Sequence, residues 1–104
     1  MYIREWKCNC PKATEGGFID YLQITGIKDT QEIDACSGYK ILRRPVNFEV
    51  EITFFTYWDS LDSMKEYAGD NLYKAVLYPE DDKYQIKPDL EVKVYEIIVS
   101  NNNP

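Results

Sequence analysis

The sequence predicts an α+β domain of the ferredoxin-like kind, ordered β-α-β-β-α-β, in which two helices cover one face of a four-stranded antiparallel sheet. Three observations predict it. Residues 47–58 alternate as a strand, with Phe48, Val50, Ile52, Phe54, Thr56 and Trp58 on one side. A proline-containing turn, Arg44-Pro45-Val46-Asn47, separates that strand from a second one at Tyr39-Lys40-Ile41-Leu42-Arg43-Arg44 and pairs the two as a hairpin. Helical spacing flanks the hairpin, at Phe18, Tyr21, Leu22 and Thr25 before it and at Leu61, Met64, Lys65 and Ala68 after it.

The elements follow in order. Tyr2 to Cys8 alternates aromatic and charged residues as a strand does, and Pro11 interrupts it. The first helix carries Gly16-Gly17 near its start, and Gly26 is the expected stop. On the long strand the second face begins polar, with Asn47, Glu49 and Glu51, and turns to Thr53, Phe55 and Tyr57. Its far end is therefore expected to be covered on both sides. Asp59-Ser60-Leu61-Asp62 carries a capping side chain and first-turn acidic residues, and Gly69 is placed to end that helix in the left-handed conformation. Asn71 to Leu77 is expected to add one or two turns before Pro79, and Pro79-Glu80-Asp81-Asp82 reads as a solvated acidic loop. Glu91 to Val99 is the last strand, apolar on both faces, so residues 1–100 form one domain and 101–104 a frayed tail.

Composition narrows the function. A chain of 104 residues builds one core, which excludes a nucleotide-binding domain joined to a substrate domain. Twelve basic against eighteen acidic residues give a net charge of −6, so no nucleic-acid partner is expected. There is no histidine, which removes Ser-His-Asp triads, histidine-ligated haem and histidine-rich zinc sites together. Cys8 and Cys10 share a strand side, but with Cys36 they make three thiols where zinc or an iron cluster takes four ligands. Free thiols, no metal and a cytoplasmic location are expected, because the charged start of the chain lacks an apolar signal core. No apolar run is long enough to span a membrane. Arg43 and Arg44 read as strand-edge charges that discourage further pairing. With 14% aromatic residues, the chain can furnish a pocket as well as a core. Trp6, Tyr39, Tyr57, Trp58 and Tyr95 are the candidate ligand-binding residues, for a small apolar or aromatic molecule. Two helices cover only one sheet face, and the apolar second face predicts a homodimer.

Tyr57-Trp58-Asp59-Ser60, Ala68-Gly69-Asp70, Lys74-Ala75-Val76 and Tyr78-Pro79-Glu80-Asp81-Asp82, with Tyr21-Leu22, Thr25-Gly26, Ser37-Gly38 and Leu42-Arg43-Arg44 before them, resemble antibiotic biosynthesis monooxygenase-like proteins of the dimeric α+β barrel superfamily. The resemblance spans roughly residues 2–99. It implies a dimeric barrel and, as an activity, cofactor-independent oxygenation of a polyphenolic aromatic substrate. The alternative is a non-catalytic binding or stress-related accessory domain. Relatives carry histidines where this chain has Val94 and, approximately, Leu77, and haem-degrading relatives carry a tryptophan where it has Tyr67, so no haem or other cofactor is implied. For an oxygenase, Tyr67 or a buried carboxylate such as Glu96 is the candidate catalytic group that positions or deprotonates the substrate hydroxyl.

Overall fold

Residues 1–101 are described by a computed structural model, and the rest of the expected tail, 102–104, lies outside the described residues. Strand β1, Tyr2–Pro11, runs up to the proline that the sequence marks as its break. The chain then winds through a 3-10 turn (Lys12–Thr14), helix α1 (Glu15–Leu22), a π-helical turn (Gln23–Ile27) and helix α2 (Lys28–Gln31). Strands β2 (Cys36–Val46) and β3 (Glu49–Trp58) form the hairpin, and helix α3 (Leu61–Ala68) follows. After an irregular stretch come a 3-10 turn (Asp81–Tyr84), strand β4 (Lys87–Pro88) and strand β5 (Lys93–Glu96). The sheet is antiparallel, in the order β2-β3-β1-β4, with β5 also paired to β1. β4 and β5 are two pieces of one edge strand, opposite Cys8-Asn9 and Tyr2–Glu5 respectively. The ferredoxin-like α+β order holds, with the fourth strand broken in two.

Period two sorts the sheet into faces. Even-numbered residues of β1 and β3 point to the helices, where Trp6, Cys8, Cys10, Val50, Ile52 and Phe54 pack against Phe18, Leu22 and Ile27. A second cluster, at the other end of the same face, joins Cys36, Trp58, Met64 and Leu72. Trp58 is fully buried there, and its indole N–H donates to Thr56 Oγ1 at 2.7 Å. The opposite face carries Ile3, Leu42, Thr53, Phe55, Tyr57 and Tyr95 and has no helix on it.

Several sequence expectations are corrected. The hairpin turn is Asn47-Phe48, since Val46 pairs with Glu49, and Phe48 is 91% exposed rather than in the strand face. Asn47 takes the positive φ of +57° that two-residue hairpin loops require and asparagine tolerates. Gly26 does not end the first helix, which continues to Gln31. Asn71 to Leu77 forms no helix, because Lys74 bridges Glu91 and the backbone bonds of Ala75 and Tyr73 go to Leu90 and Val92. That detour pulls residues 90–92 off β1, which explains the split last strand, and it leaves Ile98 and Val99 exposed beyond β5. Gly69 caps α3 with φ +79° but ψ −167°, a glycine conformation other than the left-handed helical one. Leu61, on the predicted buried side of α3, is exposed, and Met64 carries that contact.

Candidate functional site

Among the apolar side chains under the helices lies a cavity lined by Arg4, Trp6, Phe18, Leu22, Phe54, Tyr67 and Tyr78, with Gly26, Val76 and Asp81 completing it. Its volume is about 20 Å³, space for a molecule on the scale of water. Each wall follows from a local rule. Trp6 and Phe54 are even-numbered on β1 and β3, so they point inward, and the Trp6 indole N–H is oriented by donating to the Asp89 carbonyl at 3.0 Å. Phe18 and Leu22 stand four apart on α1. A Cβ on Gly26 would lie 3.2 Å from a Phe54 ring carbon and 3.4 Å from the Tyr67 hydroxyl, so glycine at this position gives the wall its close approach. The π turn that contains Gly26 is the kind of helical irregularity found at functional sites.

The polar part of the cavity is a connected set. Tyr67, on α3, stacks on Trp58 with ring centres 6.4 Å apart, and its other neighbour is the Arg4 guanidinium, 5.6 Å from its ring centre. The Tyr67 hydroxyl is 3.3 Å from that of Tyr78, and the Tyr78 hydroxyl donates to Asp29 Oδ2 at 2.7 Å. A hydroxyl has one proton, so with that of Tyr78 given to the shorter bond, Tyr67 supplies the longer one. Burial raises the pKa of both phenols, and for Tyr78 the bonds to Tyr67 and Asp29 add to it, so both are protonated at neutral pH. Asp81 is buried, accepts the Tyr78 backbone N–H at 2.7 Å, and has its pKa raised by burial first and by Asp82 next. Arg4 is 4% exposed, and desolvation lowers its pKa.

Of the sequence candidates, the structure brings Trp6 and Tyr67 to this cavity and leaves the others elsewhere. Tyr57 faces the helix-free side of the sheet, and Trp58 sits behind Tyr67 without lining the cavity. Tyr39 is on the outer strand β2, 43% exposed, with its ring edge against Phe54. Tyr95 pairs opposite Ile3 on the helix-free side. Glu96 is corrected: it is exposed at the end of β5 and accepts a 3.3 Å bond from the Tyr2 hydroxyl, because the strand ends there and no helix covers its edge. Cys8 and Cys10 are buried beside one another in the first cluster, while Cys36 belongs to the second, opposite Trp58. Burial raises all three thiol pKa values, and no group of three or more His, Cys, Asp or Glu among the described residues is arranged to hold a metal ion.

No family model matches this chain, and no curated protein matches it. Solved structures do. A provisionally assigned antibiotic biosynthesis monooxygenase from Deinococcus radiodurans superposes with a TM-score of 0.62 at 16% identity, covering 100% of this chain and 99% of that one. Rv0793 from Mycobacterium tuberculosis superposes with a TM-score of 0.53 at 13% identity, covering 98% of this chain and 100% of that one. The chain has the antibiotic biosynthesis monooxygenase-like fold. Within that fold, sequence reasoning missed Arg4, Asp29, Tyr78 and Asp81. Arg4 had a readable signal: it shares a strand face with Trp6 and Cys8, and a charge on an apolar face needs a reason. Asp29 and Tyr78 had none, since they meet across 49 residues.

Proposed function

We propose that this protein is a cytoplasmic homodimer that binds a small hydroxyaromatic molecule at the Arg4 and Tyr67 cavity and oxygenates it with molecular oxygen, using no resident cofactor. The observation that carries the reading is the hydroxyl chain Tyr67–Tyr78–Asp29, which begins in an aromatic-walled cavity and ends on a half-buried carboxylate. A substrate hydroxyl next to Tyr67 gives its proton to the Tyr67 oxygen as Tyr67 passes its own to Tyr78 and Tyr78 passes its own to Asp29. Tyr67 acts as a conductor, since burial keeps it from standing as a phenolate base. The resulting electron-rich anion reduces oxygen directly. For an anthrone-like substrate, a new C–O bond forms at the ring CH₂, the hydroperoxide O–O bond breaks, one oxygen atom stays as a carbonyl and the other leaves as water. Three free thiols support the reducing, cytoplasmic setting.

A ring of this size enters only if residues 70–80, which carry Val76 and Tyr78, move outward from the cavity. Oxygen uptake with a panel of anthrones and quinols is the test. Tyr67→Phe is expected to lower kcat by about 10²-fold for any active compound, the scale of a lost proton-transfer group. Absence of uptake across the panel, or an unchanged rate in Tyr67→Phe, overturns the catalytic reading. The small volume favours a second reading, a non-catalytic binding or accessory domain, and ligand binding without oxygen uptake is the result that selects it.

A further inference from the structure

Arg4 is a buried cation with most of its hydrogen-bonding capacity unspent. Of the five N–H groups of a guanidinium, Nε donates to the Leu72 carbonyl at 3.3 Å and one Nη2 N–H to the Lys74 carbonyl at 2.7 Å. Among the described residues, nothing accepts from Nη1 or from the second Nη2 hydrogen, and no carboxylate pairs with the charge. No polar side-chain atom is sealed in hydrocarbon without a partner, so Nη1 is not itself enclosed, and Arg4 is one of the residues that line the cavity. The neighbours do not neutralise it. Tyr67 and Tyr78 are protonated phenols, and Asp81, the carboxyl in the same wall, accepts the Tyr78 backbone N–H and makes no ion pair with Arg4. Asp29 lies beyond Tyr78 and holds its hydroxyl. Folding has thus already desolvated a fork-shaped cation beside aromatic walls and left it without an anion.

We infer that the site recognises its ligand by an anionic oxygen: an aromatic molecule whose phenolate or carboxylate oxygen docks on Arg4 while its ring lies against Trp6, Phe18 and Phe54. This rests on reading the cavity as a ligand site, and it adds the charge state that the site holds once a ligand hydroxyl has given up its proton. An anion bound here loses its own hydration but meets a partner already stripped of water, and the free Nη1 N–H groups are charge-assisted donors that a carboxylate or phenolate oxygen accepts. Arg4 also ties the 72–75 segment to β1 through its two carbonyl bonds, so the ligand contact and the cavity wall share one side chain.

The test uses 4-nitrophenol, whose ionised form is read by its own absorbance, and nitrobenzene as the neutral ring. In the wild type, the bound nitrophenol is expected to ionise about one pH unit lower than the free compound, and nitrobenzene to bind about tenfold more weakly than the phenolate. Arg4→Met, an apolar replacement of similar length, is expected to lose the phenolate preference and keep nitrobenzene binding. Equal affinity for the two probes, or an unshifted ionisation, overturns the anion inference and leaves the ring-binding reading standing. Failure of both probes to bind overturns both. The wild-type ionisation shift decides the matter even if Arg4→Met does not fold.

Discussion

Asp81 shows how one side chain changes meaning between sequence and structure. In Glu80-Asp81-Asp82 it reads as part of a solvated acidic run, yet Asp81 is buried and its backbone neighbour Tyr78 donates to it. The difference is the 3-10 turn at Asp81–Tyr84, which rotates one carboxylate of three inward while the other two face water. Because burial raises its pKa in the folded chain, the folded state holds the Asp81 proton more tightly than the unfolded state does. The sign follows: its contribution to stability is complete below the unfolded value and declines as pH rises through the folded one. Asp81→Asn keeps the acceptor for Tyr78 N–H and cannot ionise. Urea unfolding from pH 4 to 7 is expected to show a shallower decline in stability for the variant than for the wild type, with the variant at least as stable at pH 7. An identical slope in the two proteins contradicts this. Trp6 and Tyr67, the two sequence candidates that line the cavity, stood out in the sequence because aromatic residues in a small, aromatic-rich chain have few places to go. Tyr57 was misplaced because alternation gives two faces without saying which one carries helices.

At the scale of elements, local chemistry succeeded where it acts within one turn. Ser60 caps α3 by accepting the Ser63 N–H at 3.1 Å, and the Ser63 hydroxyl oxygen accepts the Ser60 N–H in return, a capping box that the sequence marks by its start signal. Ser60→Ala is expected to lower unfolding free energy by about 1 kcal/mol, read as a shift in the urea midpoint with an unchanged slope. A shift below about a quarter of that would mean that Tyr67 stacking on Trp58, rather than the cap, holds the helix. The stretch 71–77 went the other way. Its helical propensity is overridden by tertiary partners, because the carbonyls of Leu72 and Lys74 are taken by Arg4 and the Ala75 N–H by Leu90. Gly26 was read as a stop for the same reason: a glycine's local meaning is an end, and only the approach of Phe54 and Tyr67 shows it as a wall.

For the whole molecule, the sheet has one covered and one uncovered face. Ile3, Leu42, Phe55 and Tyr95 form a partly exposed apolar band on the helix-free side, with Tyr57 buried on the same side, and the Lys7–Glu51 and Arg44–Glu51 pairs flank it. Packing two such faces together is the expected homodimer. Light scattering after size exclusion at micromolar concentration should give about twice the 12.2 kDa chain mass, and Phe55→Glu should return it to one chain. A wild-type mass near that of one chain removes the dimer. The fold class was legible because its evidence, alternation and turn signals, is short-range, whereas the cavity is assembled from β1, α1, α3 and the irregular stretch after it, and no spacing rule joins those.

The position of β1 has a further consequence, for how the molecule comes into being. Its partners are β3 on one side and β4 and β5 on the other, and the Ile97 N–H reaches back to the Met1 carbonyl. The first strand made is thus the last to be enclosed: until residues 93–97 have left the ribosome, the Tyr2–Glu5 end of one edge of β1 has no partner. Nearly the whole chain must be looped before that ladder closes, so folding should be slow for a protein of this length and should finish only after synthesis has passed the final strand.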